Sequence, residues 1–95
     1  MLHEEKENLS IKTQDMKRAI DSLKEELEAI DWYHQRAEVC GNSELKKILL
    51  HNANEEKEHA SMLLEWIRKN DKYFEKELKE YLFKDLTYHE NDIMR

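Results

Sequence analysis

The chain has 95 residues, a net charge of −6, one glycine, no proline and one cysteine. Charged residues at 40% and hydrophobic residues at 39% are the composition of long, solvent-rich helices rather than of a sheet protein, and so short a chain is expected to complete its core by oligomerising. The acidic balance disfavours nucleic acid and favours cations, while no apolar run approaches the ~20 residues of a membrane span.

Met1-Leu2-His3-Glu4-Glu5 lacks an apolar signal core. A lone Cys40 cannot form an internal disulfide and fits a reducing compartment. Both point to a cytoplasmic protein. The first predicted helix covers residues 10–39 and carries Met16, Ile20, Leu23, Leu27, Ile30, His34 and Ala37 in alternating steps of four and three, one continuous seam. Cys40-Gly41-Asn42-Ser43 is the expected stop. Gly41 suits a left-handed C′ position, and Asn42 or Ser43 suits the next N-cap. A second helix over 43–69 then folds back antiparallel, because the connection is short. Asn70-Asp71 caps a third helix over 71–83, with Phe74, Leu78, Tyr81 and Leu82 on one side. Residues 84–95 form a loosely ordered tail. The whole is a single all-α domain, two long helices and a short one, or half of a four-helix bundle.

The second helix carries the informative anomaly. Its seam reads Leu45, Leu49, Asn52, Glu56, His59, Leu63, Trp66, and three consecutive members are polar. An isolated buried carboxylate is costly, so a cation is the simplest partner for Glu56. Glu56-Lys57-Glu58-His59 is also the E-x-x-H unit that ferritin-like di-metal bundles project inward. Such a bundle needs two of these units and two further glutamates. One chain supplies one unit and the stretch Glu25-Glu26-Leu27-Glu28, so two copies about a two-fold axis supply the set. Glu26 lies three residues after Leu23 and four before Ile30, placed to reach inward. Carboxylate with imidazole suits Fe(II) or Mn(II). Tyr33, two turns after Glu26 on the same flank, is placed to approach the site. His51, Glu55 and Glu58 line a neighbouring face that reads as solvated, and His34 reads as a core-edge histidine bonded to a neighbour.

Glu25-Glu26-Leu27-Glu28-Ala29-Ile30-Asp31-Trp32-Tyr33 with Gln35-Arg36-Ala37 resembles the encapsulated ferritins. So do His51-Asn52, Asn54-Glu55-Glu56 and Glu58-His59-Ala60, and then Leu64-Glu65-Trp66-Ile67-Arg68. The likeness covers roughly residues 9–83. It implies a ferroxidase oxidising Fe(II) to Fe(III) with O2 at a di-iron centre shared between two subunits, with Glu26, Glu56 and His59 as iron ligands and Tyr33 beside them. Ca, Mn or Zn can substitute for iron. The resemblance also implies a family metal site at Glu25 and Glu28, with Trp32 close by, on the approach route to the centre. It further implies dimers closing into a ring of ten chains, and residence inside an encapsulin shell that stores the mineral. The family's usual linker and shell-docking peptide find no match before Asn91-Asp92-Ile93-Met94-Arg95.

Two other functions fit the bare residues. A redox-silent helical oligomer could hold Zn(II) or Mn(II) in the same ligands. A coiled-coil adaptor could use the seam polars only to fix register.

Overall fold

The computed structural model describes residues 1–85. A 3₁₀ turn at Lys6–Asn8 leads into α1 (Ile11–Val39), α2 (Ser43–Asn70) and α3 (Lys72–Tyr81), and the described residues contain no strand. The loosely ordered tail assigned to residues 84–95 lies outside the described residues from 86 onward.

Each helix starts where the sequence supplies a cap. The Ser10 hydroxyl accepts from Thr13 N at 3.1 Å, the Asn42 amide oxygen from Leu45 N at 2.9 Å, and the Asp71 carboxylate from Phe74 N at 2.8 Å. Each satisfies a backbone donor that has no partner inside its helix. The Gln14 amide donates to Leu9 O at 3.0 Å and ties the N-terminal segment to α1.

The turn between α1 and α2 differs from expectation. Gly41 is not left-handed, since no glycine has a positive φ. Cys40 and Asn42 are both extended, at φ −76° and −90°, so the chain leaves α1 and enters α2 without a left-handed residue. A Cβ at Gly41 would meet nothing within 4 Å. Among the described residues the one non-glycine positive φ falls on Phe83, at 58° just beyond α3.

α1 packs along α2 as an antiparallel hairpin, and α3 packs against α2. Among the described residues the buried side chains are Ala19 and Ala37 on α1, and Ala53, Ala60 and Ile67 on α2. The three on α2 recur every seven residues, which keeps them on one stripe. Four of the five are alanines, so the helices approach closely while burying little apolar area. This corrects the expected seam of α2, while Ala37 of the α1 seam is buried as expected. Each buried residue of α2 lies one position past a seam residue: Ala53 after Asn52, Ala60 after His59, Ile67 after Trp66. One residue is about 100° of helix rotation, so the seam runs along the edge of the hairpin. Leu45, Ile48, Met62 and Trp66 stay exposed, as do Ile20 and Leu27 of α1.

A single residue, Asp71, ends α2 and caps α3. Across this corner Arg68 donates to Glu75 at 3.3 Å and to Glu65 at 2.8 Å, and Lys79 reaches Glu75 at 3.0 Å. The corner is thus fixed by one cap and a short chain of ion pairs.

Candidate metal centre

Glu26 stands on α1 about midway along the hairpin, with Glu56 and His59 one turn apart on α2. Antiparallel packing brings the two helices to the same height. One ligand atom from each of the three residues lies within 4.8 Å of the others, and among the described residues no other group of three or more His, Cys, Asp or Glu does so. His59 Nδ1 is 3.5 Å from Glu26 Oε2 and 3.5 Å from Glu56 Oε2. The spacing follows from local geometry, since residues three apart on a helix lie on one face.

The electrostatics of the cluster are unbalanced. Glu26 Oε2 is buried and accepts no hydrogen bond, and among the described residues it is the one buried side-chain oxygen or nitrogen in that condition. A carboxylate oxygen withdrawn from water needs a donor or a cation. Two carboxylates and an imidazole converge without an Arg or Lys among them. That donor set fits a hard to borderline divalent metal. His59 remains about half exposed, whereas the carboxylates are only about a quarter exposed. The cluster is therefore closed on the hairpin side and open on the face that carries the apolar seam.

The family comparison decides the kinship. The family model described as EncFtn-like matches residues 1–85. The chain belongs to the EncFtn-like family. It is 49% identical over 83 residues to a ferritin-like protein of Thermotoga maritima, covering 87% of this chain and 73% of that one. It is 52% identical over 81 residues to an encapsulated ferritin-like protein of Rhodospirillum rubrum, covering 85% of this chain but only 58% of that protein. The chain thus spans under two thirds of the Rhodospirillum relative. The crystal structure of protein ne0167 from Nitrosomonas europaea matches with a TM-score of 0.87 and 58% identity, over 90% of this chain and 94% of that one.

The other residues singled out in this EncFtn-like chain take separate places. Tyr33 is half-buried, and the Arg36 guanidinium lies over its ring, 5.6 Å from the centroid. Glu25 and Glu28 are exposed and do not join the three-residue cluster. Trp32 is also exposed, beside a shallow cleft shared with Gln35 and Arg36. His51 approaches Glu55 at 3.5 Å on an exposed face. His34 is not at a core edge but exposed, in a cleft with Asp31, Glu38 and Lys46. No helix of the described chain is long and apolar enough to cross a membrane. The packing role of Ala53 and Ala60 does not emerge from the apolar seam; their seven-residue spacing is the signal that points to it.

Proposed function

We propose that this protein is a ferroxidase: two copies bring their clusters together and oxidise Fe(II), its substrate, with O2. The observation that carries the reading is Glu26 Oε2, buried and accepting no hydrogen bond, with the His59 imidazole 3.5 Å away and Glu56 in the same cluster. Family membership supports an iron-related role. One chain offers three ligand residues on an open face, half of what two irons need. A second copy about a two-fold axis supplies the other half and covers the seam. An axis passing between Glu56 and His59 sets the α2 helices antiparallel, with Trp66 of one copy beside Leu49 of the other. The exposed apolar residues on either side of the polar trio then become buried contacts.

In the assembled site Glu26, Glu56 and His59 of each chain would hold the iron, the carboxylates as bridging or chelating ligands and the imidazole as a terminal one. Two Fe(II) held there would each give up one electron, and O2 would take both with two protons from water, leaving as hydrogen peroxide. The carboxylates hold the charge that builds up. Ca, Mn or Zn occupies the same ligands without this chemistry. Tyr33 stands beside the centre. Glu25 and Glu28, with Trp32, attract and meter Fe(II) on its way in. The dimers close into a ring of ten, and the product passes to an encapsulin shell, the setting suggested by the name of the Rhodospirillum relative.

Oxygen uptake on adding Fe(II) to size-exclusion fractions, with assembly followed by native mass spectrometry, tests the reading. Activity is expected only in assembled fractions. Activity that tracks a monomer peak would refute the shared centre. Metal binding without oxygen uptake would leave a redox-silent metal buffer in its place.

A further inference from the structure

Three consecutive members of the α2 seam are polar, and the metal centre uses two of them. Asn52 is left without a role. It stands four residues, about one helical turn, before Glu56. Between His51 and His59 the half-buried polar side chains are Asn52 and Glu56, while every other polar residue of that stretch is exposed. Asn54 shows the ordinary case, since it is exposed and accepts from Lys57 Nζ at 3.2 Å. The Asn52 side chain forms no hydrogen bond among the described residues. Glu56 accepts none either, and His59 Nδ1 stands 3.5 Å from its Oε2.

The two side chains are complementary. Residues four apart are neighbours on one helix face. A helical side chain leans toward the N-terminus, so Glu56 leans over the turn that carries Asn52. An ionised carboxylate only accepts, whereas a side-chain amide carries two N–H donors. In the single chain water still reaches Asn52, whose side chain is only half-buried. The two-fold axis between Glu56 and His59 sets Asn52 at the height of Leu63 of the other copy, because Asn52 lies four residues before Glu56 and Leu63 four after His59. An apolar neighbour removes that water and offers the amide no acceptor. Glu56 is then the acceptor one turn away.

We propose that Asn52 is a positioning residue of the shared centre: its amide donates to the Glu56 carboxylate and holds it in the orientation that binds metal. The remaining Glu56 lone pairs stay free for the ions. The inference rests on the two-copy centre proposed above but not on its redox chemistry, because a carboxylate must be oriented for any divalent metal.

Mn(II), which does not react in the site, is the probe, titrated calorimetrically into the assembled protein. Asn52→Leu fills a similar volume and removes both donors. It is expected to lose about 10–100-fold in Mn(II) affinity, the usual cost of removing a hydrogen bond to a metal ligand, at parental circular dichroism and assembly. Asn52→Gln keeps the amide and is expected to recover most of that loss. Asn52→Ala gives the same readout without bulk if leucine disturbs assembly. In crystals of the Mn(II)-loaded protein Asn52 Nδ2 is expected about 2.7–3.2 Å from a Glu56 oxygen. Parental affinity in Asn52→Leu and Asn52→Ala would overturn the proposal and reduce Asn52 to a residue that fixes register. A loss that Asn52→Gln does not recover, or an amide directed at another group in the crystal, would overturn it too. Mn(II) binding with the expected pattern but no oxygen uptake on Fe(II) would refute the ferroxidase reading and leave the role of Asn52 standing. An assembled parent that binds no Mn(II) would overturn both.

Discussion

Replacing Glu26 by Gln should change stability in opposite directions with and without metal. The substitution keeps the shape and removes one charge. In metal-free protein Glu26 Oε2 is buried without a donor, and its neighbouring carboxylate on Glu56 belongs to a cluster whose ligand atoms lie within 4.8 Å of one another. Two like charges at that separation repel by about 1 kcal/mol in water and by about 3 at an effective dielectric near 20. Both side chains keep about a quarter of their surface exposed, so the lower part of that range applies, about 1–2 kcal/mol. The introduced amide can also donate to Glu56, which a carboxylate cannot. Metal-free Glu26→Gln is therefore expected to melt above the parent by several degrees, at about 4–8 °C per kcal/mol for a domain of this size. With Mn(II) or Zn(II) at about a hundredfold excess over its dissociation constant, the parent gains about 2.7 kcal/mol and the variant gains little, so the order inverts. Thermal melts by circular dichroism at fixed protomer concentration, in chelator and then in metal, provide both halves of the measurement. A variant less stable than the parent in chelator, or one that keeps the full metal-induced shift, would refute the argument that a cation belongs at this oxygen.

His59→Ala and Glu56→Ala should each abolish rapid Fe(II) oxidation while the helix content stays native, measured by stopped-flow absorbance beside circular dichroism. Glu28→Ala should change the oxidation rate while iron soaked into crystals still occupies Glu26, Glu56 and His59; loss of that occupancy would make Glu28 a ligand of the centre. Ala53→Leu places a larger side chain at a position with no exposed surface, so it should destabilise the hairpin by about 1–3 kcal/mol, read as a lowered melting temperature. Lys79, and then Arg68, hold the Glu75 carboxyl below its ordinary value of 4.5, and Arg68 does the same for Glu65. A depressed native value means that their contribution to the α2–α3 corner is fully present above the ordinary value of 4.5 and is lost as pH falls through the native values. Protection of the α3 amides, taken relative to their intrinsic exchange rate at each pH, should therefore fall as pH drops below 4.5, and Glu75→Gln should flatten that response.

The helices are legible in the residues because their signals are local. Ser10, Asn42 and Asp71 each cap the helix that the periodicity implies, and the lack of proline leaves nothing to break the long runs. Glu26, Glu56 and His59 are legible too, since carboxylates and imidazole along an otherwise apolar seam are anomalous wherever the partner stands. How far each helix turns about its axis is settled only by packing. Periodicity defines a seam but not which of two neighbouring stripes faces the other helix of the same chain. The alanines at 53 and 60 take the inner stripe because small side chains allow the closest approach. That leaves Leu45, Met62 and Trp66 exposed. The expectation for Gly41 fails for a related reason: a left-handed cap is one way to leave a helix, and the exit direction set by hairpin packing makes an extended turn sufficient.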